Sequence, residues 1–331
     1  LACGDACAAA IAARRPAMED VFARLEASGV DRSGLLLAWD FTTASTRALT
    51  GWMVSVRDQA KALGTPAFTI TSQNDGGGAG FNQNIYVRIQ GTFEAPLFET
   101  ADAPGARLNL VNGEPVQNGF ATVPFVVDIP RIAVDDPSAP HPPEDIHPAR
   151  ATLWGHGLLG DRFQLSRLSE LANLFDLVVG AVDMQGMSSA DIGPIALLLG
   201  DFSSFHVIPE RLHQGVLNHL LLGRLLSDPA NGFASHPAFH RGPGGASVLD
   251  TDHVFYSGGS QGGIFGGAIM AIAEDFDRGF LAVPAANYST LLHRSIDFNP
   301  FFTIVNSTYP DKLDQLLIFP LIQQLWDRAE P

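Results

Sequence analysis

Residues 254–275 read VFYSGGSQGGIFGGAIMAIAED, a serine set among glycines between a β-type run and an apolar helical run. The stretch admits two readings: a nucleophile mounted on a sharp turn, or a Gly-rich linker that contains a serine. Gly258-Gly259-Ser260-Gln261-Gly262 matches G-x-S-x-G, a pattern that a glycine-rich chain also produces by chance. Position decides between them. Ser260 lies where an apolar strand gives way to an apolar helix. A strained turn there needs small residues two before and two after the nucleophile, and Gly258 and Gly262 supply them. Gly266, Gly267 and Ala268 let the helix pack closely on a sheet, and a linker does not run straight into IFGGAIMAIAEDF. The elbow reading prevails.

Working outward, the sequence alternates strands and helices. Ala151–Gly155, Leu177–Val182, Asp252–Ser257 and Gly279–Val283 read as strands; Phe163–Phe175, Glu210–Leu226 and Gln261–Glu274 read as helices. LVVGAV at 177–182 is continuously apolar, as strands covered on both faces are. The alternation predicts an α/β fold, a parallel sheet flanked by helices. Upstream the texture differs. A helix is expected at 16–29 and another at Trp52–Leu63, among short β-type runs at Leu35–Phe41, Phe68–Ser72, Asn84–Phe93 and Thr122–Asp128. The Pro-rich DPSAPHPPEDIHP at 136–148 reads as a boundary. The expected organisation is a β-rich N-terminal domain over 1–135, a linker over 136–148 and an α/β domain over 149–331. NDGGGAG at 74–80 lacks the Lys-Ser/Thr of a phosphate loop and reads as a hairpin loop.

Composition sets limits. Of 331 residues 46% are apolar and 17% charged, so a sizeable core is affordable. Lys+Arg 20 against Asp+Glu 35 leaves −15, which argues against nucleic acid or an anionic membrane surface as partner. No apolar run is long enough to span a bilayer. Cys3 and Cys7 read either as a small disulfide loop of an exported protein or as two incidental thiols. No metal-ligand set is visible, since Pro237 spoils the helix that would pair His236 with His240. No cofactor is expected.

Acyl transfer needs two backbone N–H groups aimed at the developing oxyanion. The Gln261 N–H follows the nucleophile and supplies the first. LWGHGLLGDR at 153–162 supplies the second from the Gly157–Leu158 turn, with Leu158 N–H as the donor. His156 and Gly157 read as support for that loop.

At these residues the chain resembles the α/β-hydrolase superfamily of esterases and lipases. More narrowly it is similar to bacterial lipase-like proteins with a β-rich region before the hydrolase domain. The resemblance rests on LLLAWDFTTAST (35–46), GHGLLG (155–160), VDMQGMS (182–188), QGVLNHLLLGR (214–224) and GGSQGGI (258–264). It implies a serine hydrolase that cleaves carboxylic esters through an acyl-enzyme at Ser260, as an esterase, a lipase or a polyesterase. A secreted or cell-envelope location is expected.

The resemblance places an acid and then a histidine after Ser260, and here the sequence departs from it. His293 is the histidine that follows Ser260, and it comes before any proper acid position. The aromatic-rich 295–326 suits a lid better than core strands, and it favours an apolar or aryl ester. The expectation is therefore a chain cut short at its C-terminus. The strand at 279–283 is then a sheet edge, paired with another chain or covered by 295–326. The missing histidine also keeps open a non-catalytic binding protein on a hydrolase scaffold.

Overall fold

In a computed structural model, which describes residues 5–75, 82–134 and 148–330, the chain divides into two units, 1–46 and 47–331. The smaller unit carries α1 (Asp5–Ala13) and α2 (Arg15–Ala27), the latter with a proline in its first turn. Leu35–Phe41 forms no strand: it has no ladder partner among the described residues, and Leu36, Leu37, Trp39 and Phe41 are exposed. An isolated β-type run has no neighbour for its backbone groups, so β propensity alone makes no strand. Cys3 and most of 74–80 and 136–148 lie outside the described residues, and with them the disulfide, hairpin-loop and linker expectations.

The larger unit opens with α3 (Thr46–Lys61) and is built on one seven-stranded sheet. Its strands are β1 (Phe68–Asp75), β2 (Ile85–Pro96), β5 (Phe120–Pro130), β6 (Ala149–Gly155), β7 (Leu177–Val182), β8 (Leu249–Gly259) and β9 (Arg278–Ala282); β3 (Leu110–Val111) and β4 (Glu114–Pro115) make a separate hairpin. The order is β1-β2-β5-β7-β6-β8-β9. β7, β6, β8 and β9 run parallel, and β1, β2 and β5 join antiparallel.

That order corrects the expected domain boundary. Residues 68–130 form no domain apart from the parallel strands, because β5 pairs with β7, Phe125 opposite Val182 and Asp128 opposite Val179. The physical reason lies in β5 itself. Phe125–Pro130 is buried on both faces and needs cover on both sides, which the shared sheet provides. Asp128 on β5 is also buried, and Arg88 of β2 grips it with two hydrogen bonds of 2.7 and 2.6 Å.

Helices cover both faces. α6 (Val207–Ser227) and α7 (Gln261–Ile272) pack on one; Arg162–Leu168 and α4 (Ser169–Phe175) pack on the other. β7 serves both, with Val178 and Val182 in the larger core and Val179 and Ala181 in the smaller one with Leu165 and Ala172. Its continuous apolar run follows from that double burial.

After β9 the chain is helical: α8 (Tyr288–Leu292), α9 (Asn299–Thr308) and α10 (Lys312–Trp326), with α5 (Ile192–Gly200) packed against α9. Residues 295–326 do not cover the β9 edge. Phe280 on that strand is 67% exposed, and β9 pairs only with β8 among the described residues. Phe298, Phe319, Ile322 and Trp326 instead bury their side chains in the main core.

Candidate active site

β8 delivers Ser260 to the turn before α7, with φ 56° and ψ −119°. A non-glycine residue there is strained and persists only where its surroundings fix it. They do so through backbone. Ser260 N–H donates to Ala282 C=O at 3.0 Å, and Ser260 C=O accepts from Ile264 N–H at 3.0 Å. Gly258 and Gly262 lie so close that a Cβ on Gly258 would come within 2.2 Å of Gly262 O. A Cβ on Gly262 would come within 2.1 Å of Gly155 O, so β6, β8 and α7 meet through bare backbone. Tyr256, fully buried, donates to Gly262 C=O at 2.7 Å, and burial pushes its phenol pKa up.

Ser260 thus stands exposed at the C-terminal end of an inner parallel strand, on a strained strand-to-helix turn. The fold is a mixed α/β sheet flanked by helices, with a serine on the turn after one of its parallel strands.

In this arrangement the loop after β6 stands beside the serine: a Cβ on Gly157 would lie 4.0 Å from Ser260 Cβ. Leu158, Ser260 and Gln261 line one cleft with Ile264, Tyr288 and Asp297. Neither the Leu158 nor the Gln261 N–H has a backbone acceptor among the described residues. For Gln261, at the start of α7, that is the normal state of a first-turn donor.

The loop is held from two sides. His156, wholly buried, bonds Gly157 C=O through Nδ1 at 2.8 Å and receives Met184 N–H on Nε2 at 2.8 Å. A backbone N–H can only donate, so Nε2 carries no proton and the ring is the neutral Nδ1–H tautomer. Burial holds the His156 pKa below the usual imidazole range. With both nitrogens engaged, His156 braces the loop. The Gln261 side chain ties the loop from the other side, accepting Leu159 N–H at 3.3 Å and donating to Met187 C=O at 2.9 Å. The G-x-S-x-G reading took Gln261 for its N–H alone and missed the amide, whose partners come from segments distant in sequence.

Met187 belongs to VDMQGMS, and a buried ionic cluster fixes that loop. Asp191 accepts from Gly186 N–H and Ser188 N–H and from Arg211 Nε at 2.8 Å. Arg211 also grips Glu99 at 2.5 Å, and burial pushes the Glu99 carboxyl up to about 8 against the pull of Arg211.

His293 does not reach the cleft. Its ring packs 4.3 Å from Phe319 and 5.4 Å from Phe302, in a groove shared with Lys312. His213 and His219 are buried in α6, each bonding the C=O four residues earlier. Among the described residues no histidine lines the Ser260 cleft.

No protein-family model matches the chain, and no curated protein matches it. Among solved structures it is similar to acetyl xylan esterase 1 from a Thermoanaerobacterium species, at 13% identity and a TM-score of 0.45 over 87% of this chain and 74% of that one. An acetyl xylan esterase from a Paenibacillus species gives 13% and 0.43 over 87% and 76%. A ferulic acid esterase from Streptomyces cinnamoneus gives 12% and 0.24 over 67% and 60%. Similarity at this level transfers no activity, and the chemistry of this chain rests on its own site.

Proposed function

We propose that the chain bears the acyl-transfer centre of a serine hydrolase acting on carboxylic esters. One observation carries the reading: Ser260 sits at a left-handed turn with φ 56°, beside two N–H groups that no backbone oxygen of the described residues accepts. Ser260 Oγ attacks the ester carbonyl carbon, and its proton passes to a base. Leu158 N–H and Gln261 N–H hold the oxyanion of the tetrahedral intermediate. Collapse expels the protonated alcohol and leaves an acyl-enzyme, which water hydrolyses by the reverse sequence. The substrate is an ester with an apolar or aryl acyl group, because the cleft continues into a pocket lined by Leu199, Phe205, Phe298 and Phe301. The base is an imidazole that the described residues do not bring to the cleft. That absence favours a second reading, a binding protein that holds ester-like ligands without cleaving them.

An aryl acetate hydrolysed in the presence of added imidazole separates the two. For a hydrolase, turnover in excess of that given by imidazole alone rises with imidazole and vanishes in Ser260→Ala, from a starting level of roughly 10³–10⁴ over water. Turnover that Ser260→Ala leaves unchanged sinks the hydrolase reading.

A further inference from the structure

Residues 183–191 run between the Ser260 site and the interior and are bonded to both. On the outer side they hold the loop that carries Leu158. Ser189 N–H donates to Gly160 C=O at 2.8 Å, and Met184 N–H donates to His156 Nε2 at 2.8 Å. Met187 C=O accepts the Gln261 amide at 2.9 Å, and that amide accepts Leu159 N–H. On the inner side the segment lies on α6. A Cβ on Gly215 would come within 2.4 Å of Gln185 O, so helix and loop touch backbone to backbone.

Asp191 ties the two sides together. Its Oδ2 accepts Gly186 N–H at 2.9 Å, Ser188 N–H at 3.0 Å and Ser188 Oγ at 2.6 Å, and its Oδ1 accepts Arg211 Nε at 2.8 Å. Ser188 N–H and Met187 C=O belong to one planar peptide and point opposite ways. Asp191 therefore grips one edge of the plate whose other edge grips Gln261.

Helix capping does not account for this. A capping box asks its acidic residue for one bond, to the N-cap N–H. Asp191 is 2% exposed and takes a second backbone donor and a guanidinium besides. Burying such a pair adds little stability, because desolvation offsets the attraction. What it secures is orientation. Arg211, 5% exposed, is held on its other branch by Glu99 at 2.5 Å, which fixes the guanidinium that Asp191 must face.

Resting on the acyl-transfer reading of Ser260, we propose that Asp191 is a positioning residue for the two oxyanion donors. It acts through the Met187–Ser188 peptide and the Gln261 side chain, with Arg211 setting its orientation. Without it the peptide is free to turn, and the Gln261 amide and the 156–160 loop lose their reference. The hold on the tetrahedral intermediate then weakens more than the hold on the ester.

The test is hydrolysis of phenyl acetate supported by imidazole, corrected for imidazole alone. Asp191→Asn should lose roughly tenfold in kcat with KM nearly constant, since even a 1 Å misplacement can cost about 10². Combined with Gln261→Ala, the loss should stay well below the ~100-fold product, because both changes act on one path. Should Asp191→Asn not fold, Ser188→Ala removes only the bond to Oδ2 and should show the same split at roughly threefold. Asp128→Asn breaks another buried ion pair, with Arg88, and should lower the urea midpoint while leaving kcat unchanged. Unchanged kcat in Asp191→Asn, or in Ser188→Ala where the first does not fold, would overturn the proposal. So would a full ~100-fold product in the double variant, or an equal kcat loss in Asp128→Asn. Failure of the acyl-transfer reading is a different result: parent turnover that survives Ser260→Ala.

Discussion

The two walls of the Ser260 cleft are made differently. The wall formed by 155–160 and 258–262 is backbone against backbone at its centre, where a Cβ on Gly258 or Gly262 would fall within 2.2 Å of a carbonyl oxygen. The opposite wall, from α8 to α10, is side chain against side chain, and the outer face of α10 leaves Leu313, Leu316, Leu317 and Leu321 exposed. The first wall fixes where N–H groups point, a matter of tenths of an ångström. The second decides which acyl group fits, and apolar walls tolerate volume-conserving change. Substitutions on the first should therefore be lost outright, and those on the second should shift preference.

The sharpest way to break the contrast is Gly262→Ala. Its Cβ would meet Gly155 O at 2.1 Å, and the expected loss is about 4 kcal/mol in urea unfolding. Unchanged stability would mean that the backbone wall is as forgiving as the helical one. Next is Leu158→Pro, which removes one of the two N–H groups proposed to hold the oxyanion. In imidazole-supported turnover it should cost roughly 10²–10³ in kcat, while Leu158→Ala, which keeps the N–H, costs little. Smaller again is Gln261→Ala. It keeps the backbone donor but frees Leu159 and Met187 from the amide. A loss of about tenfold in kcat, with KM for an aryl acetate nearly constant, would mark the amide as a positioning group.

Acid should be felt gradually and through the core. His213 and His219 are held neutral by burial, with pKa values of about 4 each against an ordinary 6.5. Their folded pKa values are depressed, so protonation favours the unfolded chain. The stability they protect is full above pH 6.5 and falls as the pH drops towards 4. The slope reaches at most about 1.4 kcal/mol per pH unit for each ring. Urea midpoints at pH 7 and 4.5 should differ less in His219→Gln than in the parent.

The elbow could be read from the sequence because its determinants are local: Gly258, Ser260 and Gly262 sit within one turn. The parallel strands were legible for a similar reason, since Val178 to Val182 display their double burial as an unbroken apolar run. Residues 68–130 were legible as strands and illegible as part of the same sheet. Pairing of Phe125 with Val182 is a long-range event that leaves no mark on either segment. The 295–326 segment showed its apolar content but not its address, the main core in place of the β9 edge. The Gln261 amide had no signal at all, since it matters through neighbours that only folding assembles.

The φ of 56° at Ser260 has a consequence for evolution as well as for catalysis. A residue held in such a region costs on the order of 1–3 kcal/mol, and glycine adopts it freely. Ser260→Gly should therefore raise the urea midpoint, by the equivalent of about 1 kcal/mol after the entropy lost with glycine. Ser260→Ala, with its Cβ intact, should not. Selection for durability alone would thus erase the hydroxyl first, and a lineage that kept the serine is one in which the reaction outweighed the strain.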